Sequence, residues 1–265
     1  MTTTLSHPTT TTNPAPRAAR PRASIGRLVW TELRLVLREP VVLTFVFAFP
    51  VITVLVLGGV FDDNDPAFEG VLPSDYYAAG YMAVVIAAIG LIMIPVHLAG
   101  YRERGVTRRF QVSAFPGWAL PLTHVVIGLA MTAIGIAVLL AAAWATYGLP
   151  EMHDLRGTAA GVLLGSLAFT GIGVAIGSLV GSARAAQGIG MMLFFPLFLL
   201  GGGGPPPDAM GPAMQTISSW LPLTHVMRAA QEPWLDLGTP TDHLVVLAGI
   251  LVASTGVWAW ASSRL

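Results

Sequence analysis

The chain has 265 residues, 54% hydrophobic and 11% charged, against roughly a quarter charged in an ordinary soluble domain. A mean hydropathy of +0.69 and apolar runs long enough to cross a bilayer exclude a water-soluble globule and define a polytopic membrane protein. Its 14 basic residues, all arginine, balance 14 acidic ones, and cysteine and lysine are both absent. Without cysteine there is no disulfide, thiolate metal site or cysteine nucleophile; without lysine there is no phosphate-binding Walker loop, so the chain is not itself a P-loop ATPase.

Residues 1–23 are rich in threonine, proline, alanine and arginine, a composition that cannot bury enough surface to offset ordering entropy, and are predicted to be a disordered tail. No signal peptide is expected, because the first apolar block begins only near Val41 and is too long for an h-region. Over 24–39, Ile25, Leu28, Val29, Leu33, Val36 and Leu37 recur at helical spacing opposite Arg27, Thr31, Arg34 and Arg38. That pattern predicts an interfacial amphipathic helix suited to an anionic inner leaflet, and Pro40 turns the chain into the bilayer.

Six charge-free blocks follow, at about 41–61, 77–100, 119–147, 158–180, 185–202 and 244–261. Each meets or approaches the roughly 20 residues that span the hydrocarbon core. The fifth is the weakest, being short and interrupted by Pro196 before the run Gly201 to Pro207. Arginine prefers the cytoplasmic side of short loops. Six spans with both termini inside put 12 of the 14 arginines on that side, leaving Arg156 and Arg228 outside, and put 11 of the 14 acidic residues outside. The predicted fold class is therefore all-α: a six-helix transmembrane domain over 40–265, with both termini cytoplasmic.

No charged residue lies in the middle of a span, which disfavours intrinsic ion coupling, since carriers and pumps keep buried ionisable groups for it. His97 and His124 lie toward the cytoplasmic ends of their spans and are expected to be structural. An intramembrane enzyme is disfavoured as well: no His-Glu-x-x-His, no Gly-x-Ser-x-Gly and no pair of intramembrane carboxylates is present. Gly157, Gly161 and Gly165, then Gly173, Gly177 and Gly181, form two rows at four-residue spacing and mark the fourth span as a packing helix.

The longest cytoplasmic connection, 101–116, mixes Arg102, Glu103, Arg104, Gly105, Arg108 and Arg109 with apolar Phe110, Val112 and Phe115. A short helix docking on another protein and simple positive-inside anchoring both fit it. Residues 205–243 exceed a hairpin's needs, and their mixture of apolar and polar side chains fits re-entrant or interfacial helices. Pro-Leu-Thr-His-Val occurs at 121–125 and again at 222–226, on opposite faces in this topology, and is read as coincidence.

In this order, several motifs resemble the ABC-2 type permeases, especially the drug-resistance branch typified by daunorubicin exporter permeases. The amphipathic segment carries Trp30-Thr31-Glu32-Leu33, then Arg34 and Arg38-Glu39-Pro40, similar to that family's elbow. Arg102-Glu103-Arg104-Gly105-Val106 resembles its Glu-Arg-Gly-rich loop between spans two and three. Phe195-Pro196-Leu197-Phe198, followed by Leu221-Pro222-Leu223-Thr224-His225 and Arg228, is similar to its closing signature. The stretch from Gly201 through Pro205 to Pro207 is richer in glycine and proline than the family's usual Ser-Gly-x-x-x-Pro.

The resemblance implies a multi-pass permease of the bacterial cytoplasmic membrane with two copies per pore, energised by a separate cytoplasmic P-loop ATPase. No cofactor is expected on this chain: ATP and magnesium would bind the ATPase subunit, and lipid, not nucleic acid, would surround the permease. It also implies that 101–116 is the coupling element, that the elbow packs nearby, and that Pro196, Gly201, Pro205, Leu221, Pro222 and Arg228 belong to an extracellular gate and re-entrant region. The expected cargo is a hydrophobic or amphipathic drug, antibiotic or lipid-like compound moved outward. Export of a polysaccharide or lipid-linked glycan and an ATP-independent scaffold are the competing expectations.

Overall fold

The computed structural model describes residues 25–36, 38–40, 43–63, 68, 70–105, 119–148, 152–206 and 210–262. Among them all regular structure is helical. Helix α1 spans Ile25–Val36. Helix α2, Leu43–Leu57, is π-wound over Leu43–Ala48 and α-helical over Phe49–Leu57. Helix α3 runs from Pro73 to Glu103 through a π-wound turn at Ile89–Met93. Then come α4 (Ala119–Tyr147), α5 (Leu155–Leu179), α6 (Ala183–Leu200), α7 (Pro212–Ser218), α8 (Pro222–Leu235) and α9 (Thr241–Ser262).

Helices α3, α4, α5, α6 and α9 are long and apolar enough to cross a membrane, and their ends fall within about one helical turn of the predicted blocks. The weak block is the first rather than the fifth. Helix α2 has pieces of six and nine residues, about 22 Å of rise, because the chain leaves the helix at Gly58-Gly59. There a Cβ on Gly58 would come 3.2 Å from both Ser74 Cα and the Tyr147 ring. Helix α6 runs continuously through Pro196; the ring removes only the hydrogen bond to Met192.

Helix α3 is the axis of the molecule. Its sequence is apolar all round, and almost every residue from Tyr76 to Ile94 is buried, packed by α2, α4, α5, α6 and α8; such a helix belongs inside a bundle. Its π-wound turn precedes Pro95, which has no N–H to offer the Leu91 carbonyl. That carbonyl points at α6, 2.1 Å from where a Cβ on Gly190 would sit. A Cβ on Gly173 of α5 would likewise lie 2.2 Å from the Gly90 carbonyl. Only glycine permits such approaches, and its Cα–H then points at the carbonyl.

The glycine rows of α5 do pack, against two different partners. Gly173 and Gly177 face α3, the latter with Leu98 and Pro95 at 2.9 and 3.1 Å from an added Cβ. Gly165, Gly161 and Gly157 face Val226, Ala229 and Pro233 of α8 in turn. Gly181 has nothing within 4 Å. The reversed order makes α8 antiparallel to α5, with its Val226 turn about 15 Å along α5 from Leu155. The C-terminal carbonyls of α8 are satisfied locally: the backbone N–H groups of His153 and Asp154 donate to Trp234 and Pro233 at 3.1 and 2.9 Å.

Candidate functional site

The predicted site residues fall at two ends of the bundle. At the arginine-bearing end, α3 stops at Glu103, and Gly105, at φ 68°, turns the chain; its N–H donates to Arg102 O at 3.0 Å. The Glu103 carboxylate accepts from the backbone N–H of Ala183 at 3.0 Å, and the Ser182 hydroxyl accepts from Ala185 at 3.3 Å. Together they cap the first turn of α6, where free N–H groups and the helix dipole favour an anionic acceptor. Glu103 thus bolts the end of α3 to the start of α6.

Beside it, the Arg104 guanidinium folds back, Nε donating to Gly100 O at 3.1 Å. One nitrogen of Arg102, Nη1, is enclosed and has no partner among the described residues. Tyr101 meets His124 edge-on at 5.8 Å between ring centres, and His97 Nδ1 donates to Met93 O at 3.0 Å; both histidines are held structurally. Arg108, Arg109 and Phe110, with the rest of 106–116, lie outside the described residues. On α1, Trp30 is exposed with the Arg34 guanidinium 4.9 Å above its ring, while Leu33 and Val36 turn inward. Arg38 is exposed, and the Glu32 side chain is not among those described.

At the opposite end, the glycine run after α6 is held from α3. Tyr77 donates its hydroxyl to Gly204 O at 3.1 Å, and the Tyr81 hydroxyl donates to Gly203 O. The turn needs glycine: Gly202 has φ 95°, a Cβ on Gly203 would lie 2.5 Å from the Phe198 ring, and one on Gly201 would lie 2.4 Å from Leu197 O and 3.2 Å from Leu223. Pro205 is exposed, Pro196 sits on the outer face of α6, and Leu221 and Pro222 open α8 half-buried. Between the two ends an aromatic cluster joins α2, α3 and α6. Phe45 and Phe49 meet Phe194 and Phe198 edge-on at 5.1 to 6.0 Å, and Phe198 meets Tyr81 at 6.1 Å. The cluster was readable as aromatic pairs at i, i+4 in three segments, but nothing in the pattern said that they converge.

Helix α8 is fastened to α3 by buried Gln231, whose Nε2 donates to Tyr76 O at 2.8 Å. Its other side carries a feature sequence reasoning missed. Glu232 accepts from His243 Nε2 at 3.1 Å, and His243 Nδ1 meets His225 Nδ1 at 3.0 Å. A neutral His243 that donates at Nε2 accepts at Nδ1, so His225 donates from Nδ1. Burial first, and His243 second, hold the His225 pKa below the ordinary histidine value, with the Ser219 carbonyl opposing them. Both Pro-Leu-Thr-His-Val copies prove to lie at the start of a helix, α4 and α8, where proline and threonine suit the first turn.

A bundle of long apolar helices around a wholly apolar axis, with charge confined to its ends, is a multi-pass membrane protein. The sequence pattern of the ABC-2 type transporter family matches residues 23–233, and the chain belongs to that family. It is thereby a permease component of an ABC transporter, a membrane transport part of a kind generally not catalytic itself, in a family that typically works with an ATPase subunit. No curated protein matches the sequence.

Proposed function

We propose that this chain is the transmembrane subunit of an ATP-driven exporter of hydrophobic or amphipathic compounds, drugs or lipid-like molecules, in a bacterial cytoplasmic membrane. In this reading α2 is a first, short span, both termini are cytoplasmic, α1 is the interfacial elbow, and 101–116 receives the ATPase. Helices α7 and α8 are then extracellular, α8 re-entering the bundle, and two copies form the pathway. ATP and magnesium stay with the partner.

The observation that carries this reading is the joining of α3 and α6 at both ends. Glu103 ties α3 to the first turn of α6, and Tyr77 and Tyr81 tie α3 to the glycine turn that ends α6. A push on the loop after Glu103 therefore moves two helices as one body and is delivered to the Gly201–Pro206 turn. The aromatic cluster between them resists bending, since ring pairs contribute about 0.5–1.5 kcal/mol each beyond buried area. An apolar groove of about 280 Å³ between α4, α5 and α9, lined by Leu122, Val125, Leu167, Val174, Leu251 and Trp258 among others, supports an apolar rather than a sugar-rich cargo.

The test uses inverted membrane vesicles containing the chain and its ATPase, with daunorubicin fluorescence reporting ATP-driven, vanadate-sensitive uptake. E103R, which removes the α6 cap and reverses the charge, is expected to abolish uptake in protein that still elutes as a folded species. E103Q, which keeps an acceptor oxygen, is expected to retain a large part of it. Undiminished uptake in E103R would overturn the coupling role.

A further inference from the structure

One cavity stands apart from the coupling end, the glycine turn and the apolar groove. It encloses about 240 Å³ between α7, the start of α8 and the start of α9, and is lined by Ser218, Ser219, Thr224, His225, Arg228 and His243, with Gln215 at its edge. None of the side chains lining it is a carboxylate; the arginine, the amide and the hydroxyls donate hydrogen bonds, and His225, whose neutral-form N–H is taken by His243, donates a second one only when protonated. Among the described residues nothing accepts a hydrogen bond or ion pair from Arg228. The carboxylate nearest in sequence, Glu232, is engaged by His243 on the far side of the histidine pair. Ser218 and Thr224 are buried and share one hydrogen bond, Oγ to Oγ1 at 3.3 Å, so one hydroxyl proton is left to turn inward.

A half-buried guanidinium in a carboxylate-free pocket of hydroxyls and imidazoles is complementary to an oxyanion, which arginine holds in a bidentate fork. About 240 Å³ suits a compact group, and its polar lining sets it apart from the apolar groove between α4, α5 and α9. The setting is apolar on its outer side: Ile217 and Met214 of α7 are exposed, and Trp220, in the turn before α8, is 81% exposed. We propose that this pocket is a binding site for an anionic phosphate group, gripped by Arg228 and surrounded by the hydroxyls and the histidine pair. The phosphate is that of a lipid headgroup or of a free phosphate ion; the chemistry is shared, and the experiment separates the sources.

The charged and titratable groups carried by the elements that line the pocket are Arg228 and Glu232 on His225's own helix and Asp242 and His243 at the start of α9; α7 carries none. Left empty, the pocket keeps His225 neutral at physiological pH, because burial and His243 oppose its charge. A bound phosphate reverses that opposition, so binding takes up a proton and tightens as pH falls.

The test is made on the purified full-length chain in detergent and is independent of transport. Native mass spectrometry reads dioleoylphosphatidylglycerol against phosphate-free dioleoylglycerol, and titration calorimetry reads inorganic phosphate, in wild type, R228Q and R228K. Wild type is expected to bind at least one phosphate probe. R228Q is expected to lose about tenfold to a hundredfold in affinity, and R228K less, at matched melting temperatures. Phosphatidylglycerol binding should strengthen from pH 8 to pH 6, where a phosphodiester does not titrate. Retention of the lipid alone identifies a headgroup; binding of phosphate alone identifies a free ion; both support the site. Failure of wild type to bind either probe, which needs no variant, overturns it, as does equal binding in a folded R228Q.

Discussion

Alanine at Gly161 tests whether the α5 glycines exist to seat α8. A Cβ there would lie 2.2 Å from the Ala229 carbonyl oxygen, 2.6 Å from its carbon and 3.0 Å from the Ala229 Cβ. Two of these are backbone atoms, so no rotamer change relieves the clash. Restoring an ordinary separation near 3.4 Å requires α5 and α8 to part by about 1.2 Å, and a gap of that order forfeits about half or more of each dispersion contact along the seam. The expected cost is at the upper end of about 1–3 kcal/mol for overpacking, which lowers the melting temperature by roughly 3–10 °C for a chain of this size. G181A is the control: that glycine belongs to the same sequence row, but nothing lies within 4 Å of its Cβ position, and it should melt within about 1 °C of wild type. The assay is fluorescence-detected thermal unfolding of the full-length chain in detergent. If G161A melts like wild type, or G181A falls as far, the account of the glycine rows is wrong.

Further outcomes follow from the same geometry. Y81F removes the hydroxyl that reaches Gly203 among the described residues; leaving that buried carbonyl without it should cost about 1–3 kcal/mol and lower ATP-driven uptake more than Y147F, whose hydroxyl donates to Leu55 O of α2 and not to the glycine turn. E103A should lose the α6 cap and about 0.5–2 kcal/mol of stability, and E103Q less, by the same melting assay. Because the His225 pKa is lowered by folding, the unfolded chain takes up its proton first as pH falls through the ordinary histidine range. Stability held above about pH 6.5 is then lost on acidification toward the lower folded value. In phosphate-free buffer the melting temperature should decline from pH 7.5 to pH 5, and H225Q should flatten that slope; an identical slope in H225Q would refute the assignment.

The spans were legible because a bilayer-crossing helix must be free of charge over about 20 residues, and the charges at 62–75, 102–109 and 151–156 bracket those blocks sharply. The first helix was misjudged in length because Gly58 and Gly59 are apolar by composition but end the helix against Tyr147. The fifth was underrated because Pro196 counts as a breaker in water, whereas in a packed bundle one missing hydrogen bond is tolerated. Glycine spacing announced close packing, yet not that one row serves α8 and the other α3, since spacing names a face and not its neighbour. Glu103 stood out by its charge, but its partner, a backbone N–H 80 positions away, leaves no trace in sequence. The Glu232, His243 and His225 chain was invisible for the same reason: its members come from two helices joined by a turn whose geometry the composition does not set.

Copurification decides whether an ATPase drives this permease through its arginine-bearing end. The chain, tagged at its C-terminus, is isolated in mild detergent from its native cells, the accompanying proteins are identified, and vanadate-sensitive ATP hydrolysis is assayed. A stoichiometric P-loop ATPase with that activity is expected, lost from the preparation when E103R replaces the wild type. A monodisperse, folded permease that brings down no ATPase and hydrolyses no ATP would contradict it.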